Sequence, residues 1–233
     1  VLCRQRADPR TRLGGSLRRV LAWQEHDGDP SGAGDLVFLS IILTTLEFAP
    51  DPPLPDRCGR CTRCIEACPT QAITAPYQLD ARRCISFLTI ENKGPIPEEF
   101  REAMGDRIFG CDDCLDACPW NRFARASRDA ALQSRADLLA KPLGEFLALD
   151  DRQFKDLFRD SPILRAKRRG FLRNVCVALG NVGRADDLPA LQKATQDSEP
   201  LIREHAAWAI ERISERQKLP SRPAAAATAP PLA

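Results

Sequence analysis

Apolar positions fall into several separate patterns along the 233-residue chain. A run at 36–46, broken by Ser40, Thr44 and Thr45, predicts a buried strand or a short core helix. Residues 81–92 carry an apolar stripe at Ile85, Phe87 and Leu88. A proline-bounded turn at 94–97 follows, and 98–104 reads as a short helix with Pro97 near its start. Further on, Leu138, Leu139, Leu143, Phe146, Leu147, Phe154, Leu157 and Phe158 recur at helical spacing. Beyond Ser161-Pro162 the pattern predicts helices at 163–179, 188–195 and 200–213, with turns at 181–183 and 196–199.

The ends follow no such period. Residues 1–35 are basic at 10–19 and rich in Gly, Asp, Ser and Pro at 28–34, and the chain opens on Val rather than Met. They are left unassigned, as disorder or a misread start. The Pro/Ala-rich tail at 216–233 reads as disordered. The domain reading is therefore 36–55, then a cysteine-dense module at 56–125, a helical connector at 126–160 and a helical unit at 161–215.

Composition narrows the class. With 43% hydrophobic residues a buried core is within reach, and a net charge of +2 names no partner. No apolar run is long enough to span a bilayer, and no apolar core with a cleavage site follows the basic start. A cytoplasmic protein away from membranes is expected. Eight of the ten cysteines sit clustered at metal-ligand spacing, and in a reducing compartment such cysteines hold metal more readily than they pair.

Their spacing is specific. Cys58, Cys61, Cys64 and Cys68-Pro69 form a C-x2-C-x2-C-x3-C-P run, the bacterial ferredoxin spacing. Cys111, Cys114 and Cys118-Pro119 repeat its end, and Cys84 can supply the missing ligand. In such pairs the last cysteine of each run crosses to the other cluster. One 4Fe–4S cluster then takes Cys58, Cys61, Cys64 and Cys118, and the other takes Cys68, Cys84, Cys111 and Cys114. Structural zinc is the competing reading of the C-x2-C pairs, though zinc has no need of the doubled C-x3-C-P ending. Cys176, in an apolar stretch, reads as a core residue, and Cys3 as incidental.

These residues, with Arg83 to Glu91, the Lys93-Gly94-Pro95-Ile96-Pro97 segment, Gly110 to Asn121, and 165–174, closely resemble the epoxyqueuosine reductase family. The resemblance runs from 36 to about 214. It implies an oxidoreductase that uses cobalamin and two 4Fe–4S clusters to reduce epoxyqueuosine to queuosine at the tRNA wobble position. An external electron donor would feed the clusters, and a monomer is expected. The family's catalytic domain precedes the cysteines, and 36–55 would be its remnant here. No catalytic acid is therefore assigned. If the family geometry holds, Ser86 faces the corrin, with Asp112 and Asp113 as the next candidates. The other reading is that these side chains bond backbone around a cluster.

The fold expected is α+β: a ferredoxin-like two-cluster module followed by an α-helical domain. Residues 188–213 resemble one HEAT-type repeat, with Leu188, Leu191, Ile202, Ala206, Ala209, Ile210 and Ile213 facing a shared core. The preceding helix carries Arg165, Lys167, Arg168, Arg169 and Arg173 with no acid between 163 and 180. Five cations on one helix read as a phosphate-binding stripe, and the resemblance makes tRNA the expected partner. His205 and Trp208 read as packing residues. Two other readings are an electron carrier with a helical docking domain, and a relative of the reductive dehalogenases. The basic helix counts against the second, since a small halogenated substrate needs no phosphate-binding surface.

Overall fold

The computed structural model describes residues 58–123 and 135–218. The expected element at 36–46, the unassigned 1–35 and the tail beyond 218 lie outside the described residues. What is described is mostly helical, with one two-stranded hairpin.

The cysteine module is built from short pieces. Helix α1 (Arg63–Ala67) leads to an antiparallel hairpin of β1 (Ile73–Ala75) and β2 (Gln78–Leu79), turned at Pro76-Tyr77 with Tyr77 at φ +61°. A 3-10 turn (Ala81–Arg83) and a π-helical segment (Phe87–Glu91) follow. Then come α2 (Glu98–Arg101), α3 (Asp113–Asp116) and a 3-10 turn at Pro119–Phe123. The expected helix at 98–104 is cut short: the chain passes through Gly105 at φ +58°, a conformation that ends helices.

The second region carries most of the apolar core. Short helix α4 (Ala136–Leu139) sets Leu138 against the core, and α5 (Leu143–Phe146) and α6 (Asp151–Leu157) lean on α7 (Lys167–Val182). Asp150 starts α6 with a capping box: its carboxylate accepts the Gln153 N–H, and the Gln153 side chain accepts the Asp150 N–H. Helix α7 starts later than the pattern predicts because Pro162–Ala166 forms a 3-10 turn instead. After a 3-10 turn at Ala185–Asp187, α8 (Leu188–Ala194) and α9 (Pro200–Lys218) complete the unit, α9 running one turn past its expected end.

Helix α7 is the central member. Residues 170 to 180 are all buried, so it is enclosed on every side. One side joins Phe146, Phe154, Phe158 and Phe171, whose ring centroids lie 4.9–6.4 Å apart. Another meets α9 at Gly180, where a Cβ would stand 2.2 Å from the Trp208 ring. Only glycine permits that approach. Val177, with Ile85, Ile96 and Met104, forms a second core that joins the module to the helical unit. Among the described residues, no helix is long and apolar enough to cross a membrane.

Candidate iron–sulfur centre

The two cysteine runs fold alike. Thr62 and Asp112, each just after a cysteine, start their helices with nearly equal backbone angles, φ −123°, ψ 7° and φ −122°, ψ 14°. The carbonyls of both accept from residues three and four ahead. The Cys68 N–H donates to Ile65 O as the Cys118 N–H does to Leu115 O, and Gln71 and Asn121 then cap Cys68 O and Cys118 O. Helices α1 and α3 pack together, which brings the two runs face to face.

Of the eight cysteines, Cys61 is exposed and the other seven are half-buried. The Cys68 sulfur accepts the Ala72 N–H at 3.2 Å. Burial pushes the Cys114 thiol up to about 12, and the nearby Cys84, Cys111, Cys68 and Cys64 add to the effect. Burial likewise lifts Cys111 to about 11. Thiols held this high keep their protons until a metal centre displaces them. Among the described residues, no three His, Cys, Asp or Glu side chains converge on one ion-sized point. Cys176 is buried in the core, its thiol raised to about 12 by burial.

The residues expected near a corrin are differently employed. Ser86 is 5% exposed. Its hydroxyl donates to Cys111 O and accepts the Cys111 N–H, both at 3.0 Å, so no free group faces outward. Asp113 holds Arg107 in a two-pronged ion pair, with Nη2 2.6 Å from Oδ2. Asp112 alone of the three is exposed. Ser86 and Asp113 thus make the backbone and partner bonds that the other reading expects of them.

The cationic stripe also changes. Arg173 is 0% exposed, so it cannot meet a polyanion. Its guanidinium donates to Leu88 O, Asn92 O, Gly94 O and the Asn174 side chain. Burial lowers its pKa to about 10, which leaves it charged at neutral pH. Arg168 is drawn to Asp197 and Leu149 O, with its side chain 12% exposed. Arg165 and Lys167 remain exposed and Arg169 half-exposed. Arg165 pairs with Glu91, and Arg169 donates to Lys93 O. Lys93, not singled out from sequence, joins this group: its ammonium donates to Ile90 O and Arg165 O, both at 3.3 Å.

Lys167 stands at φ +58°, ψ 163°, backbone space nearly reserved for glycine. His205 and Trp208 pack, as expected. His205 is 0% exposed, donating to Leu201 O from Nδ1 and accepting the Ile96 N–H at Nε2. Burial lowers its pKa to about 4.

The sequence also gave no hint of the π-helical turn and what it releases. The Asn92 N–H reaches back to Phe87 O rather than Leu88 O. The carbonyls of Leu88, Thr89 and Ile90, left open at the segment's end, accept from Arg173, Asn174 and Lys93. Two of these three donors come from α7.

Paired cysteine loops of this form define a double-cluster iron–sulfur protein. Residues 57–121 match the 4Fe-4S double cluster binding domain. Beyond that module, the chain is homologous to part of epoxyqueuosine reductase. It is 47% identical over 180 residues to the epoxyqueuosine reductase of Xanthomonas campestris, covering 77% of this chain and 51% of that one. The Escherichia coli epoxyqueuosine reductase is 42% identical, with 79% and 49% covered. A crystal structure of epoxyqueuosine reductase with an epoxyqueuosine-modified tRNA-Tyr stem loop superposes with a TM-score of 0.67 at 40% identity, covering 71% of this chain and 44% of that one. The chain spans about half the length of the curated relatives it matches.

Proposed function

We propose that this chain is the iron–sulfur and tRNA-facing portion of an epoxyqueuosine reductase, which reduces epoxyqueuosine to queuosine at the tRNA wobble position. The observation that carries this reading is the 47% match over 180 residues, a length that takes in both the cysteine module and most of the helical unit. Cys58, Cys61, Cys64 and Cys118 would hold one 4Fe–4S cluster, and Cys68, Cys84, Cys111 and Cys114 the other. The doubled loops and the crowding of Cys84, Cys111 and Cys68 around Cys114 fit such a pair. Bound there, the clusters supply one-electron transfer from an external donor.

Cobalamin fits these residues poorly. Of the three residues considered for it, Asp112 alone offers an exposed and unengaged carboxylate, so no step is routed through a corrin by this chain. The helical unit, with α8 and α9 stacked on α7 in HEAT-like manner, would receive the tRNA backbone through Arg165, Lys167, Arg169 and Lys93. The strained backbone at Lys167 supports this, since strain persists where a side chain must be presented.

The test is conversion of epoxyqueuosine-bearing tRNA by the anaerobically prepared, cluster-loaded chain joined to the N-terminal half of a homologous epoxyqueuosine reductase and supplied with cobalamin and a reductant. Nucleoside mass spectrometry should record a loss of one oxygen. Unchanged epoxyqueuosine, with both clusters present and reducible, would favour an electron carrier with a helical docking unit.

A further inference from the structure

The two chain segments that bring Cys84 and Cys111 together are joined by three buried polar side chains. Ser86, two residues past Cys84, bonds both backbone groups of Cys111. Thr89 lies one turn further on and is 0% exposed. Its hydroxyl donates to Ile85 O at 2.7 Å and accepts the Gly110 N–H at 3.0 Å. Asn174 then reaches from α7 to bridge Thr89 O at 2.8 Å and Ile108 O at 2.9 Å. Every rung crosses from 85–89 to 108–111. A hydroxyl both donates and accepts, which is what a backbone N–H beside a carbonyl requires.

We propose that Ser86 and Thr89 are positioning residues for the cluster held by Cys68, Cys84, Cys111 and Cys114. Their hydroxyls fix the separation of Cys84 and Cys111 and so govern the retention and reduction potential of that cluster. This rests on the ligand partition given above. The hydroxyls touch no iron. They act through the backbone of a ligand, as outer partners of metal ligands do. The other cluster, on Cys58, Cys61, Cys64 and Cys118, has no ligand within the zipper and stays indifferent to it.

Physical separation of the hydroxyl from its bulk makes the test sharp. Thr89→Val keeps the shape and removes the hydroxyl, Thr89→Ser keeps the hydroxyl, and Ser86→Ala removes the Cys111 clamp. The full chain with both clusters is titrated with dithionite and followed by electron paramagnetic resonance, then challenged with an iron chelator. In Thr89→Val and Ser86→Ala one of the two midpoint potentials should shift, and about half the iron should leave roughly tenfold to a hundredfold faster. Thr89→Ser should restore both measures. Unchanged clusters, equal disturbance or loss of both, or a Thr89→Ser variant resembling Thr89→Val would each overturn the proposal. Failure of the underlying partition looks different: the unsubstituted chain itself would show a single cluster type, or Cys84→Ser and Cys111→Ser would affect different clusters.

Discussion

The two regions of this molecule are held together by different forces. Of the 25 buried apolar residues among those described, seven belong to the cysteine module and 18 to the helical unit. The helical unit has an interlocked aromatic cluster and a fully enclosed helix, enough for a core that forms by burial alone. The module has short helices of four or five residues and one small hairpin, which burial cannot stabilise by itself. Such a region needs its metal to fold. Where they meet, the helical unit lends the module buried polar groups from α7 beside the apolar contact of Val177 and Trp208.

The largest expected effect follows from that contrast. Stripping iron with a chelator should abolish amide exchange protection through 58–91, while 167–182 and 200–213 stay protected. Simultaneous loss in both regions would make them one cooperative unit and break the comparison.

Arg173→Met tests the junction. It leaves the carbonyls of Leu88, Asn92 and Gly94 without their shared donor and should cost about 4 kcal/mol, measured by urea unfolding of the cluster-loaded chain. A cost near zero would mean that the buried guanidinium carries no weight there. Gly180→Ala tests the helical core instead. Its Cβ meets the Trp208 ring, so α7 and α9 must part, at about 2–3 kcal/mol.

His205 gives a pH signature. Its pKa is lowered to about 4 from 6.5, so the unfolded chain takes the proton first as pH falls. The contribution is complete above about pH 6.5 and is lost on descent toward pH 4. Roughly 2 kcal/mol should disappear between pH 7.5 and pH 5. Exchange at the Ile96 amide, which donates to His205, reports it locally.

Lys167→Gly has the smallest effect on stability and the opposite sign. Relief of the strained backbone should stabilise by about 1 kcal/mol, while the lost cation weakens tRNA binding and lowers its salt dependence. Unchanged tRNA affinity would remove Lys167 from the interface.

How much of this was legible in the sequence depends on the range of each interaction. The cysteine loops were readable because their spacing is local and their chemistry demands a fixed count. Helices α7, α8 and α9 were readable from apolar periodicity, apart from their ends. The role of Arg173 was hidden by treating it as one more surface cation. Its neighbours held the signal: with Asn174 it interrupts an apolar run from Phe171 to Leu179, where a charged side chain must be buried and partnered. The clamp that Ser86 makes was hidden for a different reason. Its partner Cys111 lies 25 residues away, and nothing local in the sequence announces a hydroxyl clamp across that distance. The π-helical turn is equally silent, because one shifted hydrogen bond leaves no compositional mark.

The most direct test of the account is the iron and acid-labile sulfide content of the anaerobically prepared chain, with Mössbauer spectra to identify the cluster type. Two cubanes predict about eight of each per chain. About four of each, or zinc in place of iron, would contradict the double-cluster assignment on which the reading of the molecule stands.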